Sequence, residues 1–91
     1  MKVVWTDTAK RNLRTIQDYI AQNSPAYAKR MVDRLTSCSK RIGVFPLSGR
    51  VVPEFELGQV REVFQRPYRI IYYIRPDHVE VIGVIHMSRR I

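Results

Sequence analysis

Several residue types that would indicate particular functions are scarce in this chain. Cys38 is the only cysteine and histidine occurs twice in 91 residues, which excludes an intrachain disulfide and a multi-cysteine metal site. No apolar run reaches the roughly 18 residues that a membrane-spanning helix needs, and the amino terminus lacks the apolar core of a signal peptide. These absences predict a cytoplasmic protein with no membrane segment, no metal and no cofactor.

Acidic residues are also few. Eight Asp and Glu face 16 Lys and Arg, which leaves a formal net charge of +8. The resulting positive potential favours nucleic-acid phosphates, anionic lipids or acidic proteins as partners. Hydrophobic residues make up 45% of the chain, a fraction typical of globular proteins, so the chain is expected to fold. Its length of 91 residues predicts one domain that spans residues 1–91.

The first half of the chain contains two amphipathic patterns. A short β-branched and aromatic run at residues 2–5 predicts a strand, and Thr6 or Asp7 can cap the helix that follows. The apolar stripe of that helix comprises Ala9, Leu13, Ile16 and Ile20. Ser24 and Pro25 are typical of a second helix start, and Gly43 is its predicted stop. Its stripe comprises Ala28, Met31, Leu35, Cys38 and Ile42, so the two helices should form an antiparallel hairpin.

The second half is predicted to form a sheet. Residues 44–59 contain two prolines and two glycines and read as an ordered loop, whereas residues 60–65, 68–75 and 78–86 read as strands. A tight turn at Pro76 and Asp77 joins the last two strands. The prediction is therefore an α+β fold: an N-terminal strand, the helical hairpin, and a three-stranded antiparallel meander, with one sheet packed on the helices.

Strand alternation predicts which side chains share a face of this sheet. The helix-facing set is Tyr68, Ile70, Tyr72 and Ile74 with Val79, Val81 and Ile85. The opposite face would carry Arg69, Ile71 and Tyr73 with Ile82, Val84 and His86. Arg69 and His86 are thus expected to lie side by side. Glu62 is expected to pair with a basic neighbour, and Arg50 to bond backbone carbonyls in its loop.

Six segments in this order resemble the RelE/ParE superfamily of toxins from type II toxin–antitoxin systems. They are Trp5-Thr6-Asp7-Thr8-Ala9, Tyr19-Ile20 with Ser24-Pro25, Phe45-Pro46 with Gly49-Arg50 and Val52-Pro53-Glu54, Arg61-Glu62-Val63, Tyr68-Arg69-Ile70-Ile71-Tyr72, and Val84-Ile85-His86 with Arg89. The opening segment, the loop and the Arg-Glu-Val segment are closer to the ParE branch. The resemblance implies a growth-inhibiting toxin that a cognate antitoxin neutralises.

The resemblance leaves two targets open, since ParE-like toxins poison DNA gyrase and RelE-like toxins cut messenger RNA in the ribosome. For a metal-independent endoribonuclease, the candidate catalytic residues are Glu54, Arg61, Arg69 and His86. The tyrosine that such branches carry after the last strand is missing, because Met87, Ser88 and Arg89 follow His86. This departure favours gyrase. A basic nucleic-acid-binding module that is not a toxin is the third hypothesis.

Two sets of binding residues follow from these hypotheses. The target-binding candidates are Arg61, Arg69, Arg89 and Arg90, which would contact an acidic enzyme surface or DNA phosphates, and Tyr73, which would stack on a base. The antitoxin-binding candidates are the helical cations Lys10, Arg11, Arg14, Arg30 and Arg34. These cations are either a solvated face or the docking site of an acidic antitoxin segment that folds on binding, and an exposed apolar groove beside them would favour docking.

Overall fold

The fold is known from a computed structural model that describes residues 1–90. Its elements are β1 (Lys2–Trp5), α1 (Asp7–Ala21), α2 (Pro25–Val44), a 3-10 turn (Pro46–Ser48), β2 (Arg50–Val51), β3 (Val60–Gln65), β4 (Tyr68–Ile74) and β5 (His78–His86). Within residues 1–90 the strands form one five-stranded sheet in the order β1-β5-β4-β3-β2. The β1–β5 pair is parallel and the other pairs are antiparallel. The predicted α+β class and order of the major elements are confirmed.

The helices begin where the capping residues predict. The Thr6 hydroxyl accepts a hydrogen bond from the Ala9 amide at 3.1 Å, and the Ser24 hydroxyl accepts one from the Tyr27 amide at 3.2 Å. Each bond satisfies an amide that has no partner within its own helix. The two apolar stripes pack on the sheet, where Met31 and Leu35 contact the buried faces of β4 and β5.

Gly43 does not end the second helix, contrary to the prediction. The helix continues to Val44, and a Cβ at Gly43 would lie 2.6 Å from the carbonyl oxygen of Met1. Glycine is therefore needed here for the close approach of the amino terminus. The helix ends at Val44 with Phe45 as its C-cap, because Pro46 cannot continue it.

Residues 44–59 contain more structure than the predicted loop. They include the 3-10 turn and β2, which pairs with β3 opposite Arg61 and Glu62. Tyr72 holds this segment in place, since its hydroxyl donates to the Pro46 carbonyl at 2.6 Å and accepts from the Gly49 amide at 3.0 Å. A Cβ at Gly49 would lie 2.5 Å from the Tyr72 hydroxyl, so a larger residue does not fit.

Ile82 lies on the outer face of β5 as predicted, but the predicted faces of the residues after it are wrong. Ile71 lies opposite Gly83 and Tyr72 lies opposite Val81, so Ile82 is the extra residue of a β-bulge. The bulge exchanges the faces that follow it. Val84 packs in the core beneath the helices, whereas Ile85 packs on the other face. The amide of Val84 donates a hydrogen bond to the side-chain oxygen of Asn12 on α1 at 3.1 Å, and this bond fixes the bulge against the helix.

The sheet has an apolar core on each face. The larger core lies between the sheet and the helices, and Tyr72, Leu35 and Met31 are almost fully buried in it. The smaller core lies on the outer face and consists of Val52, Val60 and Ile71, where the segment after β2 folds back over the sheet. In the part of the chain that the structure describes, no helix is long and apolar enough to cross a membrane.

Candidate functional site

An ionic network lies on the outer face of the sheet beside the small apolar core. The guanidinium of Arg69 donates from Nη2 to Glu54 at 2.7 Å and from Nη1 to Glu62 at 2.8 Å. Its Nη2 also donates to the Arg89 carbonyl at 2.9 Å, and Arg50 donates to the second oxygen of Glu62 at 2.6 Å. The predicted pairing of Glu62 with basic neighbours is confirmed, whereas Arg50 bonds a carboxylate rather than backbone carbonyls.

Burial makes this network a structural feature of the sheet. Only 6% of the Arg69 side chain and none of the Glu62 side chain is exposed. The hydrogen bond to Glu54 raises the pKa of Arg69, with Glu62 acting in the same direction, so the guanidinium stays charged. Its terminal nitrogens are engaged, and only the buried Nε has no partner among the described residues. In this conformation Arg69 offers no exposed donor to a phosphate.

His86 lies on the opposite face from Arg69, which overturns the expectation that the two point outward together. His86 pairs with Tyr68, and their rings meet edge to face at 5.8 Å, whereas Arg69 pairs with Ile85. Directly opposed residues of neighbouring strands share a face, so the bulge at Ile82 is the cause. The Nδ1 atom of His86 accepts a hydrogen bond from the Ser88 amide at 3.2 Å.

Arg61 is also separated from Arg69. It lies opposite Tyr72 on the helix-facing side of β3, and its guanidinium donates to the carbonyls of Gly58 at 3.0 Å and Gly49 at 2.9 Å. Of the four ribonuclease candidates the structure therefore brings together Glu54 and Arg69, and it does not bring Arg61 or His86 to them. The four residues do not form one site in this conformation.

The remaining target-binding candidates are dispersed. Tyr73 is half-buried on the outer face, and the guanidinium of Arg75 lies 4.0 Å from the centre of its ring. Arg75 also donates to Glu80 at 2.8 Å, which lowers the pKa of that carboxyl group. Arg89 and Arg90 are exposed in the segment after β5 and are the members of the set most accessible to a large partner.

An apolar groove of about 700 Å³ opens between the helices and the ends of β4 and β5. Its walls include Tyr19 and Ile20 of α1, Tyr27 of α2, and Tyr68 and His86 of the sheet. Tyr19 is 70% exposed and Tyr27 is 38% exposed, so two aromatic rings at the rim face solvent. Exposed apolar surface of this kind is typical of protein–protein contact sites.

The predicted antitoxin-binding cations lie on the two helices that form one side of this groove. Lys10, Arg11, Arg14, Arg30 and Arg34 are all exposed. Arg30 lies over the ring of Tyr27 with its Cζ 5.7 Å from the ring centre, and Arg89 lines the groove from the sheet side. The groove thus has an apolar floor, and Arg89 and Arg30 are the cations that these contacts place at its border. Among residues 1–90 no group of three His, Cys, Asp or Glu side chains is placed to hold a metal ion.

A protein-family model matches residues 3–91 of the chain. The matched family is the ParE toxin of the type II toxin–antitoxin system parDE. The chain belongs to this family. It is therefore a toxin component of a type II toxin–antitoxin system, and the superfamily expected from the sequence is confirmed.

Two similar proteins and two similar structures agree with this membership. Toxin RelE2 of Caulobacter vibrioides is 36% identical over 89 residues, which cover 97% of this toxin and 97% of the relative. Putative toxin Y4kP of Sinorhizobium fredii is 32% identical over 91 residues, which cover 98% of this toxin and 91% of the relative.

The two structures share the fold of the toxin. The chromosomal ParDE system of P. aeruginosa matches with a TM-score of 0.78 at 21% identity, over 94% of this chain and 95% of the other. The toxin–antitoxin complex RelBE2 of Mycobacterium tuberculosis matches with a TM-score of 0.69 at 22% identity, over 93% of this chain and 95% of the other.

Two features of the site, the β-bulge and the ion pairing of Arg69, were not predicted from the sequence. The bulge has a signal in the sequence, since Gly83 interrupts a strand pattern and glycine within a strand often marks a bulge. Glu54 was grouped with Arg69 as a ribonuclease candidate, but their buried ion pair has no local signal, because 15 residues separate the two and the fold alone brings them together.

Proposed function

We propose that this toxin inhibits growth by binding DNA gyrase rather than by cutting messenger RNA. The observation that carries the proposal is the position of Arg69, whose terminal nitrogens are bonded to Glu54, Glu62 and the Arg89 carbonyl. RNA cleavage needs a cation on the scissile phosphate beside a proton-transfer group. Here the cation is buried and His86 lies on the other face of the sheet. A toxin that acts by binding requires neither group.

The surface proposed to contact gyrase is the exposed cationic segment after β5. Arg89 and Arg90 are exposed there, and the net charge of the toxin is +8. Cations on a surface of one sign accelerate association with acidic protein or with DNA phosphates and favour the correct orientation. Arg61 and Tyr73 contribute less to this proposal, because their side chains are engaged within the toxin.

The apolar groove is proposed to bind the cognate antitoxin. A disordered acidic segment that folds as an amphipathic helix would place its apolar side against Tyr19 and Tyr27 and its carboxylates against the cations of α1 and α2. Arg30 and Arg34 are exposed on α2, and Lys10, Arg11 and Arg14 are exposed on α1. The structural relatives named above were obtained as toxin–antitoxin systems, which supports an antitoxin as the partner.

The test is inducible expression in a bacterium, followed by assays that separate the two targets. Expression should arrest growth, and co-expression of the neighbouring small reading frame should relieve the arrest. Purified toxin should inhibit supercoiling by gyrase and increase the linear DNA that detergent and protease release from the enzyme. Codon-positioned cuts in messages with unaffected gyrase would contradict the gyrase proposal and favour the ribonuclease.

Matched variants make this test specific. Replacing both Arg89 and Arg90 with Ser should weaken gyrase inhibition about tenfold, since each exposed charge contributes up to about 1 kcal/mol. The control is Lys29→Ser with Lys40→Ser, which removes the same charge from exposed positions of α2. His86→Ala should leave the gyrase effect unchanged. Circular dichroism must show that each variant is folded before its activity is compared.

A further inference from the structure

The edge of the sheet at β3 is only partly covered. β2 has two residues, which lie opposite Arg61 and Glu62, so within the described chain no strand flanks residues 63–65 on that side. The chain before β2 leaves the plane of the sheet, because the amide of Gly49 bonds the hydroxyl of Tyr72 on the helix-facing side. The backbone of Phe64 therefore lies at an open strand edge.

Apolar side chains surround this open edge. Phe64 is 42% exposed and Phe45 is 64% exposed. Phe45, Val63 and Phe64 also line a cavity of about 280 Å³ between the end of α2 and β3. This cavity is separate from the groove described above, which lies at the other end of α2 and shares no lining residue with it. An unpaired strand edge beside an apolar cavity is suited to the addition of a strand from another chain.

The charges around the edge are positive. Arg41 lines the cavity, Arg66 is exposed directly after β3, and Arg50 lies over the ring of Phe64 at 5.1 Å from its centre. The carboxylate of Glu62, to which Arg50 is bonded, is fully buried and is also bonded to Arg69. Hence the accessible charge is cationic, and a second copy of this chain would bring like charges together. An acidic partner would be attracted.

We infer that residues 63–65 of β3 form a second docking site, which takes an extended acidic segment of a partner protein. The backbone of that segment pairs with the open edge at Phe64. One of its apolar side chains enters the cavity between Phe45 and Val63, and flanking carboxylates meet Arg41 and Arg66. A strand recognised in this way needs apolar and acidic residues in alternation, because successive side chains point to opposite faces. The site is independent of the proposed function and does not use the groove.

The probe is a fluorescently labelled eight-residue peptide that alternates glutamate with valine and carries one central phenylalanine. It should bind the full-length toxin, and a peptide with lysine in place of glutamate should not. Nuclear magnetic resonance should show shifts at Phe45 and residues 63–65, together with slower hydrogen exchange at the Phe64 amide. Shifts confined to Tyr19, Tyr27 and their neighbours would place the peptide in the groove and overturn the inference.

Two charge reversals of equal size separate specific docking from general attraction. Arg41→Glu should weaken peptide binding about fivefold, the effect of one exposed charge pair of up to about 1 kcal/mol. Lys29→Glu, at an exposed position near the other end of α2, should change it less than about twofold. Equal losses in the two variants would overturn the inference. So would concentration-dependent shifts at Phe45 and Phe64 without peptide, which would identify a second copy as the occupant.

Discussion

Neighbouring residues of β4 have different environments, because their side chains lie on opposite faces of the sheet. Arg69 is buried among carboxylates on one face, and Ile70 packs beneath the helices on the other. An arginine in a strand of this kind looks like a phosphate ligand when only the sequence is known. Its burial and its partner Glu54 depend on a segment that returns from 15 residues away, and no local pattern reports that return.

Tyr72 provides a prediction at the scale of one residue. Its burial raises the pKa of its hydroxyl above 10.0, so the folded toxin keeps the proton where the unfolded chain begins to lose it. The resulting stability is complete below pH 10 and is lost as the pH rises through the folded-state pKa. Tyr72→Phe should therefore show a weaker loss of stability between neutral and alkaline pH than the parent toxin.

The measurement is urea unfolding of both proteins at pH 8 and at about pH 11, with Tyr19→Phe as the control. At pH 8 the Tyr72 variant should be less stable by about 1 to 3 kcal/mol, because the bonds to Pro46 and Gly49 are lost. Tyr19 is 70% exposed, so its variant should follow the parent at both pH values. Equal alkaline losses in all three proteins would refute the role of Tyr72.

At the scale of elements, periodicity and capping residues were sufficient to predict the helices and the three long strands. The bounds of β3 and β5 agree with the apolar runs, and both helices start at the predicted caps. The faces of β5 beyond the bulge could not be predicted from alternation, since one extra residue reverses the pattern. β2 was missed because two residues carry no periodicity, and Tyr72 positions them through a bond to Gly49.

The start of α2 supports a prediction at this scale. Ser24→Ala removes the hydroxyl that accepts from the Tyr27 amide at 3.2 Å, and the free energy of unfolding should fall by about 1 kcal/mol. Ser37→Ala is the matched control, because Ser37 is exposed within the same helix, where alanine is favoured. Thermal unfolding of both variants measures the difference. An equally large fall in the free energy of unfolding of the Ser37→Ala variant would contradict a capping role for Ser24.

For the whole molecule, the charge and the groove together determine how a partner would change its stability. A ligand that binds only the folded toxin adds about 2.7 kcal/mol at 100 times its dissociation constant. Binding of the cognate antitoxin in the groove should therefore raise the melting temperature of the toxin by several degrees. Because screening weakens attraction between exposed charges, this increase should shrink between low salt and about 0.5 M salt.

Tyr27→Ala and Phe55→Ala are matched variants for this experiment, since both side chains are 38% exposed and only Tyr27 lines the groove. Tyr27→Ala should weaken antitoxin binding about tenfold, as expected for an aromatic anchor worth more than about 1 kcal/mol, and Phe55→Ala should not. Calorimetric titration of the purified pair gives both affinities. Full affinity of the Tyr27 variant would exclude the groove as the antitoxin site.

The segment that follows β5 touches both sides of the sheet. Ser88 and Arg89 form part of the groove wall, the Met87 amide bonds the Pro67 carbonyl at 2.8 Å, and the Arg89 carbonyl accepts from the buried Arg69. Truncation after His86 would consequently remove a wall of the groove and uncover an arginine with two carboxylates at once. Deletion alleles of this tail would thus combine a partner-binding phenotype with a folding phenotype, and only point substitutions of the exposed side chains can separate the two.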